Sequence, residues 1–277
     1  MKSTRKSLIV VTVVLAVALG AVGIAYAITY GEPDGDGHPY VGLALFYDEA
    51  GEYMWRCSGT LLSPTVFMTA GHCAVDSASA KVFFDADLTE LEYPYPDCGP
   101  YRCWEGTTLT HPNYDDAWPE FPKTYDVGVV ILDKRVPRKV VNNTYGVLPE
   151  LGVLDDLDTQ RGHQDLVFRT VGYGLQSVKP EEQADRVRYT STSLLVNLES
   201  ALTDGNNLHT SNNPGEGHDT SGGSCFGDSG GPVFYPEDSN VVVGIVSFGM
   251  NWNCKGGDWA FRTDIETTQG FVNGFLD

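Results

Sequence analysis

The segment Gly227-Asp228-Ser229-Gly230-Gly231-Pro232 sets a serine among glycines. A serine hydroxyl is a poor nucleophile until a base takes its proton, and glycine neighbours let a substrate and backbone amides approach it closely. The stretch also fits G-x-S-x-G, the nucleophile turn of α/β-hydrolases, whose acid and histidine follow the serine in the chain. No histidine follows Ser229, because the last of the six is His218. The base must come from upstream, which excludes that class. Upstream, Thr69-Ala70-Gly71-His72-Cys73 closes an apolar run, and Tyr125-Asp126-Val127-Gly128-Val129-Val130-Ile131-Leu132 opens another behind a single acid. The order is His, Asp, Ser. In such a set His72 takes the Ser229 proton through one ring nitrogen, while Asp126 accepts from the other and stabilises the imidazolium. Asp115 and Asp116 are rival orienting acids, but a single acid heading a strand fits a buried orienter better than an acidic loop does. His111, His163 and His218 are read as surface or structural residues with no part in the chemistry.

The elements around these residues read as strands. Short apolar or alternating runs recur between Gly, Pro, Asn and Asp clusters: Tyr40 to Tyr47, Thr60 to Thr69, Val127 to Leu132, Leu166 to Tyr173, Val187 to Leu198 and Val241 to Phe248. Two stretches read as loops, Glu90 to Trp118 and Thr203 to Ser224. Only the tail has a helical pattern, with Phe271, Val272, Phe275 and Leu276 falling on one face. Strands at this spacing without alternating helices predict an all-β body, a sandwich or barrels, with a C-terminal helix. No internal repeat of fixed period is present.

With 277 residues, 42% of them hydrophobic, the chain is long enough for one large or two modest domains with a proper core. Lys2, Arg5 and Lys6 precede an apolar run from Leu8 to Ile24 that ends in Ala25-Tyr26-Ala27. This is a signal-peptide pattern over residues 1–27, leaving 28–277 as an exported, soluble body. The run is also long enough for an uncleaved membrane anchor, while the small residues Ala25 and Ala27 favour removal. Loss of the three basic leader residues takes the formal charge from -19 to -22. That field repels phosphate backbones, so nucleic acid is not an expected partner. Six cysteines in an exported chain imply disulfides, and six permit fifteen pairings. Cys98 and Cys103 flank the turn signal Gly99-Pro100, which suits a short local bridge. Zinc is disfavoured by the absence of CxxC pairs, and calcium by the lack of ordered ligand spacing; no metal or cofactor is expected. Asn142-Asn143-Thr144 is a glycosylation sequon that reads as an exposed turn.

The three segments in this order resemble the chymotrypsin/trypsin family of secreted serine endopeptidases. Cys57-Ser58-Gly59-Thr60-Leu61-Leu62, His111-Pro112-Asn113-Tyr114, Val171-Gly172-Tyr173-Gly174 and Val246-Ser247-Phe248-Gly249 also match family stretches, so the likeness spans nearly all of 28–277. It implies two six-stranded antiparallel barrels with the catalytic residues in the cleft between them, acting on a protein or peptide substrate as a monomer. It further implies disulfides Cys57–Cys73 and Cys225–Cys254, an oxyanion site made by the amides of Gly227 and Ser229, and support of Asp126 by Ser247. Family members mature when a new amino terminus pairs with the aspartate before the nucleophile, here Asp228. Ile28-Thr29-Tyr30-Gly31 follows the leader directly, so the expectation is that export alone exposes Ile28 for that pairing. The pocket-floor position that is aspartate in trypsin is Gly223, followed by Ser224. A neutral floor, with Phe248 and Gly249 along the substrate strand, resembles a pocket for large apolar side chains. The stretch Gly256 to Arg262 aligns in two ways with the opposite wall, placing either Asp258 or Trp259 there. An aspartate would restore preference for Arg or Lys; a tryptophan would shrink the pocket.

Overall fold

The computed structural model describes residues 27–93, 95, 97–117, 121–157, 165–213 and 222–276. The leader expectation therefore lies outside the described residues except at its last position, as do His163 and His218.

Strands β2 (Val41–Tyr47), β3 (Tyr53–Leu61), β4 (Val66–Thr69), β5 (Ser79–Phe83), β6 (Cys103–Thr110) and β7 (Gly128–Leu132) close an antiparallel barrel in the order β2-β3-β4-β7-β6-β5. β2 is buried along its whole length because both of its faces are covered. Ala44 and Phe46 enter the barrel core, while Leu43, Leu45 and Tyr47 join a second cluster with Leu88, Leu91, Tyr95 and Tyr173. A strand's side chains alternate between faces, so a continuous apolar run is what two apolar neighbours require.

The other half contains β1 (Glu32–Pro33), β8 (Val167–Gly172), β9 (Tyr189–Asn197), β10 (Asn207–Asn212), β11 (Pro232–Phe234), β12 (Val242–Gly249) and β13 (Gly256–Arg262). Their order is β1-β9-β10-β13-β12-β11-β8, and β8 pairs again with β9. Six of these strands thus close into a second barrel, and the two-residue β1 hangs on β9 as a seventh strand that the sequence reading did not anticipate. The chain ends in the helix Glu266–Val272 and a turn of 3-10 helix, Asn273–Phe275. Val272 is fully buried there, and Phe271, Phe275 and Leu276 pack against the core of the first barrel, as their spacing predicted.

The two stretches read as loops each hold a strand. In β6, Trp104, Gly106 and Thr108 point inward while Glu105, Thr107 and Leu109 face out. The alternation is clean, but its inward set is one tryptophan, one glycine and one threonine, too weakly apolar to signal a strand on its own. β10 reads Asn-Leu-His-Thr-Ser-Asn and is carried by six register pairs with β13 rather than by its own apolar content. The run expected as one strand from Thr60 to Thr69 is broken at Ser63-Pro64, where the chain turns from β3 into β4. The sequon is an exposed turn, with Asn142 in the left-handed conformation after the 3-10 turn Arg138–Val141.

Candidate active site

The histidine segment comes off β4 into a single helical turn, Gly71–Ala74, and the Cys57–Cys73 disulfide ties that turn to β3. Asp126 lies just ahead of β7, which pairs with β4 from Thr69–Gly128 onward, so the sheet register brings the acid beside His72. Both the backbone N–H and the ring of His72 turn to this carboxylate. His72 N donates to Oδ1 at 2.8 Å, and Nδ1 stands 2.9 Å from Oδ2. Ser247 Oγ donates to the same Oδ2 at 2.5 Å. Ser247 can reach across because the β12–β13 register shifts between Val246 and Phe248 and turns the intervening side chain toward the first barrel. Burial disfavours the charge on Asp126, but the imidazole and the hydrogen bonds from His72 and Ser247 outweigh it and hold its pKa below the ordinary carboxylate value. Burial likewise acts to lower His72, and the Asp126 charge and hydrogen bond, with a contribution from Asp116, raise it above the ordinary imidazole value. An ionised carboxylate can only accept, so Nδ1 carries the proton and Nε2 keeps its lone pair for use as a base.

The nucleophile loop is fitted directly against the histidine segment. A side chain at Gly230, whose φ is +80°, would meet Ser58 O at 2.5 Å and Ala70 N at 2.8 Å. Ser229 is half-buried, lines the neighbouring cavity, and its carbonyl accepts from Ser58 N at 2.8 Å. The Ser229 hydroxyl makes no hydrogen bond to His72 Nε2 among the described residues in this conformation; such bonds tighten when substrate is present. The amides of Gly227 and Ser229 have no acceptor among the described residues either. Their orientation is set through neighbouring carbonyls: Phe226 O accepts from Leu175 N at 2.8 Å, and Asp228 O accepts from Gly231 N at 2.8 Å. Each N–H is thereby turned to the opposite side of its peptide plane.

A cavity of about 250 Å³ opens beside Ser229, lined by Ser224, Cys225, Phe226, Ser247, Phe248, Gly249 and Asp258 among others. The Cys225–Cys254 disulfide joins its two walls. Of the two residues that the alignments offered for the wall, Asp258 lines the cavity and Trp259 lies outside its lining. Alternation along β13 sends its indole to the other face, stacked between His209, with centroids 4.1 Å apart, and Phe248, 5.3 Å away. The Asp258 carboxylate accepts from Ser224 N at 2.6 Å and from Asn212 Nδ2 at 3.1 Å. A side chain at Gly223 would collide with both Asp258 and Asn212. An aspartate reached from β13 therefore stands beside Gly223 in the cavity, as one of the two alignments had it, so the lining is not neutral throughout. Burial raises the Asp258 pKa to about 6 against the opposing hydrogen bonds from Asn212 and Ser224. Asn212 was missed by sequence reading because it sits at the end of a strand read as loop.

Asp228 is fully buried, with Oδ1 accepting from Gly174 N at 2.8 Å and Oδ2 from Cys225 N at 2.9 Å. Burial and the nearby Asp258 charge raise it to about 7 against the hydrogen bonds from Gly174 and Cys225 and the charge of Arg56, and no ion pair joins it among the described residues. Ile28 is buried too, against Tyr189 and Val187, but no hydrogen bond or ion pair joins it to Asp228 in the unprocessed chain, where its nitrogen is a peptide nitrogen. All three expected disulfides are formed, Cys98–Cys103 included. His111 stacks on Tyr125 and meets Phe271, a packing role.

Two closed antiparallel barrels, one presenting a histidine held by a carboxylate and the other a glycine-flanked serine beside a pocket, define the class of two-barrel serine-type endopeptidases. The family model described as Trypsin matches residues 35–271, and the chain belongs to that family. Brachyurin from Leptuca pugilator is 29% identical over 220 residues, covering 77% of this chain and 83% of its own. A trypsin from Saccharopolyspora erythraea is 27% identical over 218 residues, covering 76% and 82%. Among solved structures, an HL collagenase superposes with a TM-score of 0.65 at 17% identity, covering 90% of this chain and 98% of its own. A mutant of human heparin binding protein gives 0.62 at 18% identity, covering 90% and 96%. No helix among the described residues is long and apolar enough to cross a membrane.

Proposed function

We propose that the chain is exported, loses residues 1–27, and hydrolyses peptide bonds through an acyl-enzyme at Ser229, with His72 as base and Asp126 as orienting acid. Ser229 Oγ adds to the substrate carbonyl carbon while His72 Nε2 takes its proton. The amides of Gly227 and Ser229 receive the oxyanion, and His72 then returns the proton to the leaving amine. Water repeats the cycle on the ester and frees the serine. Asp258 at the pocket floor favours Arg or Lys before the cut, with Phe226, Phe248 and Gly249 contacting the aliphatic stem. Processing at Ala27 frees the ammonium of Ile28, which pairs with Asp228.

The observation that carries this reading is the His72–Asp126–Ser247 hydrogen-bonded set standing against the Ser229 loop at the mouth of an acid-floored cavity. The test is active-site labelling by an organophosphate together with hydrolysis of casein. Wild type is to be labelled stoichiometrically and cleave casein; Ser229→Ala is to lose the label and at least about 10³-fold of the rate. Labelling that survives in Ser229→Ala would end the assignment.

A further inference from the structure

Ser58 is a buried serine on β3 with no place in the reaction as derived above, yet all of its polar groups are engaged at the site. Its N–H donates to Ser229 O at 2.8 Å, and its carbonyl accepts from Thr69 Oγ1 at 2.9 Å, three residues before His72. Its hydroxyl accepts from Tyr173 N at 2.9 Å and donates to Gly227 O at 2.9 Å. The hydroxyl thus bridges two loops of the second barrel: Tyr173, whose successor Gly174 holds Asp228, and Gly227, the middle of the oxyanion turn.

The Gly227 carbonyl belongs to the peptide joining Gly227 to Asp228. Leu175 fixes the peptide before it and Gly231 the peptide after it; the middle peptide is held at its N–H end, where Asp228 N donates to Cys225 O at 3.0 Å, and at its carbonyl end by the Ser58 hydroxyl. Gly227 sits at φ +97°, a conformation open to glycine, so that without the Ser58 hydroxyl the peptide keeps only its Asp228 N–H contact to Cys225 O and its carbonyl end is free to tilt. Rotation about that residue would swing the Gly227 N–H out of line with the Ser229 N–H, and oxyanion stabilisation depends on both donors being aimed beforehand.

We infer that Ser58 is a positioning residue for the oxyanion site: its hydroxyl locks the Gly227 peptide in the orientation that aims the turn's amides at the developing charge. The inference rests on the proposed acyl-transfer chemistry but concerns only the transition state. Ser58 touches neither substrate nor His72, and the specificity pocket is built without it. Loss of its hydroxyl therefore acts on the oxyanion and leaves ground-state binding alone.

The experiment compares wild type with Ser58→Ala and Ser58→Gly, the glycine variant removing the hydroxyl without leaving a methyl group beside Gly231. An amide substrate with Arg before the cut reports kcat and KM. A peptide boronic acid, which forms a tetrahedral anionic adduct on Ser229, and benzamidine, which occupies the pocket alone, report the two kinds of binding. The expected result is a fall in kcat of about tenfold or more, short of the ~10²–10³ that deleting an oxyanion donor costs. Boronate affinity is to fall by the same factor, with KM, benzamidine affinity and organophosphate stoichiometry unchanged. The inference is overturned if both variants keep kcat and boronate affinity within about twofold of wild type, or if benzamidine affinity falls as far as boronate affinity. Absence of labelling in wild type would instead sink the acyl-transfer reading itself, so the two failures are distinguishable.

Discussion

Asp258 is the charge that a substrate side chain entering the pocket would meet, and its surroundings give that charge a pH dependence of its own. Burial holds its pKa at about 6, well above an exposed aspartate, so the pocket floor loses its charge as pH falls through that value. His72 must also be neutral for attack, and its raised pKa means that protonation cuts activity on every substrate as pH falls. A ratio cancels the shared factor. For two peptides differing only in Arg or Phe before the cut, the ratio of kcat/KM values is to fall by about tenfold between pH 8 and pH 5, and to be flat in Asp258→Asn. A constant wild-type ratio over that range would remove Asp258 from substrate recognition. Residue chemistry was largely legible in the sequence at this scale: the absence of a histidine after Ser229 fixed the direction in which the base had to lie. The pocket floor was not, because choosing between Asp258 and Trp259 requires the phase of β13, and that phase is set by pairing with β12 across the bulge at Ser247.

Between residue and molecule stand the elements, and their attachment depends on a buried ion pair that carries no catalytic motif. Arg188, just ahead of β9, is fully buried; its Nε donates to Asp34 Oδ2 at 2.9 Å and its Nη1 to Tyr173 OH, Val41 O and Phe84 O at 3.1 Å. One side chain thereby joins the amino-terminal segment, both barrels and the Tyr173 loop. Burial acts to raise Asp34, but the hydrogen bond and charge of His38 and the charge of Arg188 leave its pKa lowered. Removing the cation strands a buried carboxylate, so Arg188→Met is to lose about 3–5 kcal/mol in urea unfolding at pH 7. The lowered pKa means that this contribution is complete above the ordinary value of 3.8 and fades as pH falls through the folded value. The gap between wild type and variant is therefore to narrow in acid; a loss under about 1 kcal/mol at pH 7 would mean the network is dispensable. Strands with strong apolar runs were legible because each supplies its own signal. β6 and β10 were not, since their burial comes from partners far along the chain and leaves little mark on local composition, nor was the two-residue β1, whose exposed residues are held only by pairing with β9.

For the molecule as a whole, the group on which the proposed activation turns is the buried carboxylate of Asp228, which has no ion-pair partner among the described residues. Thr29 pairs with Gly223, on the segment leading to Asp228, and its hydroxyl hydrogen-bonds Asn212, which in turn holds Asp258. Ile28 is thus delivered to the buried strip that carries both carboxylates. While Ile28 is still in peptide linkage, the folded chain keeps Asp228 protonated up to about pH 7, whereas the unfolded chain releases that proton near 3.8. The folded state then binds more protons across that interval, so the stability of the unprocessed chain falls as pH rises from about 4 to 7. An ammonium at Ile28 would favour the carboxylate and reverse the sign of this contribution, and activity is to fade once pH rises far enough to neutralise that ammonium. Secreted protein is accordingly to begin at Ile28 by amino-terminal sequencing. A form with one extra residue before Ile28 is to show the downward slope of stability from pH 4 to 7 and at least about a hundredfold lower kcat/KM, since the Asp228–Ser229 turn then lacks its cationic anchor. Equal activity of the extended and processed forms, or a mature chain starting elsewhere, would separate Asp228 from activation and leave its burial as a feature of the fold alone.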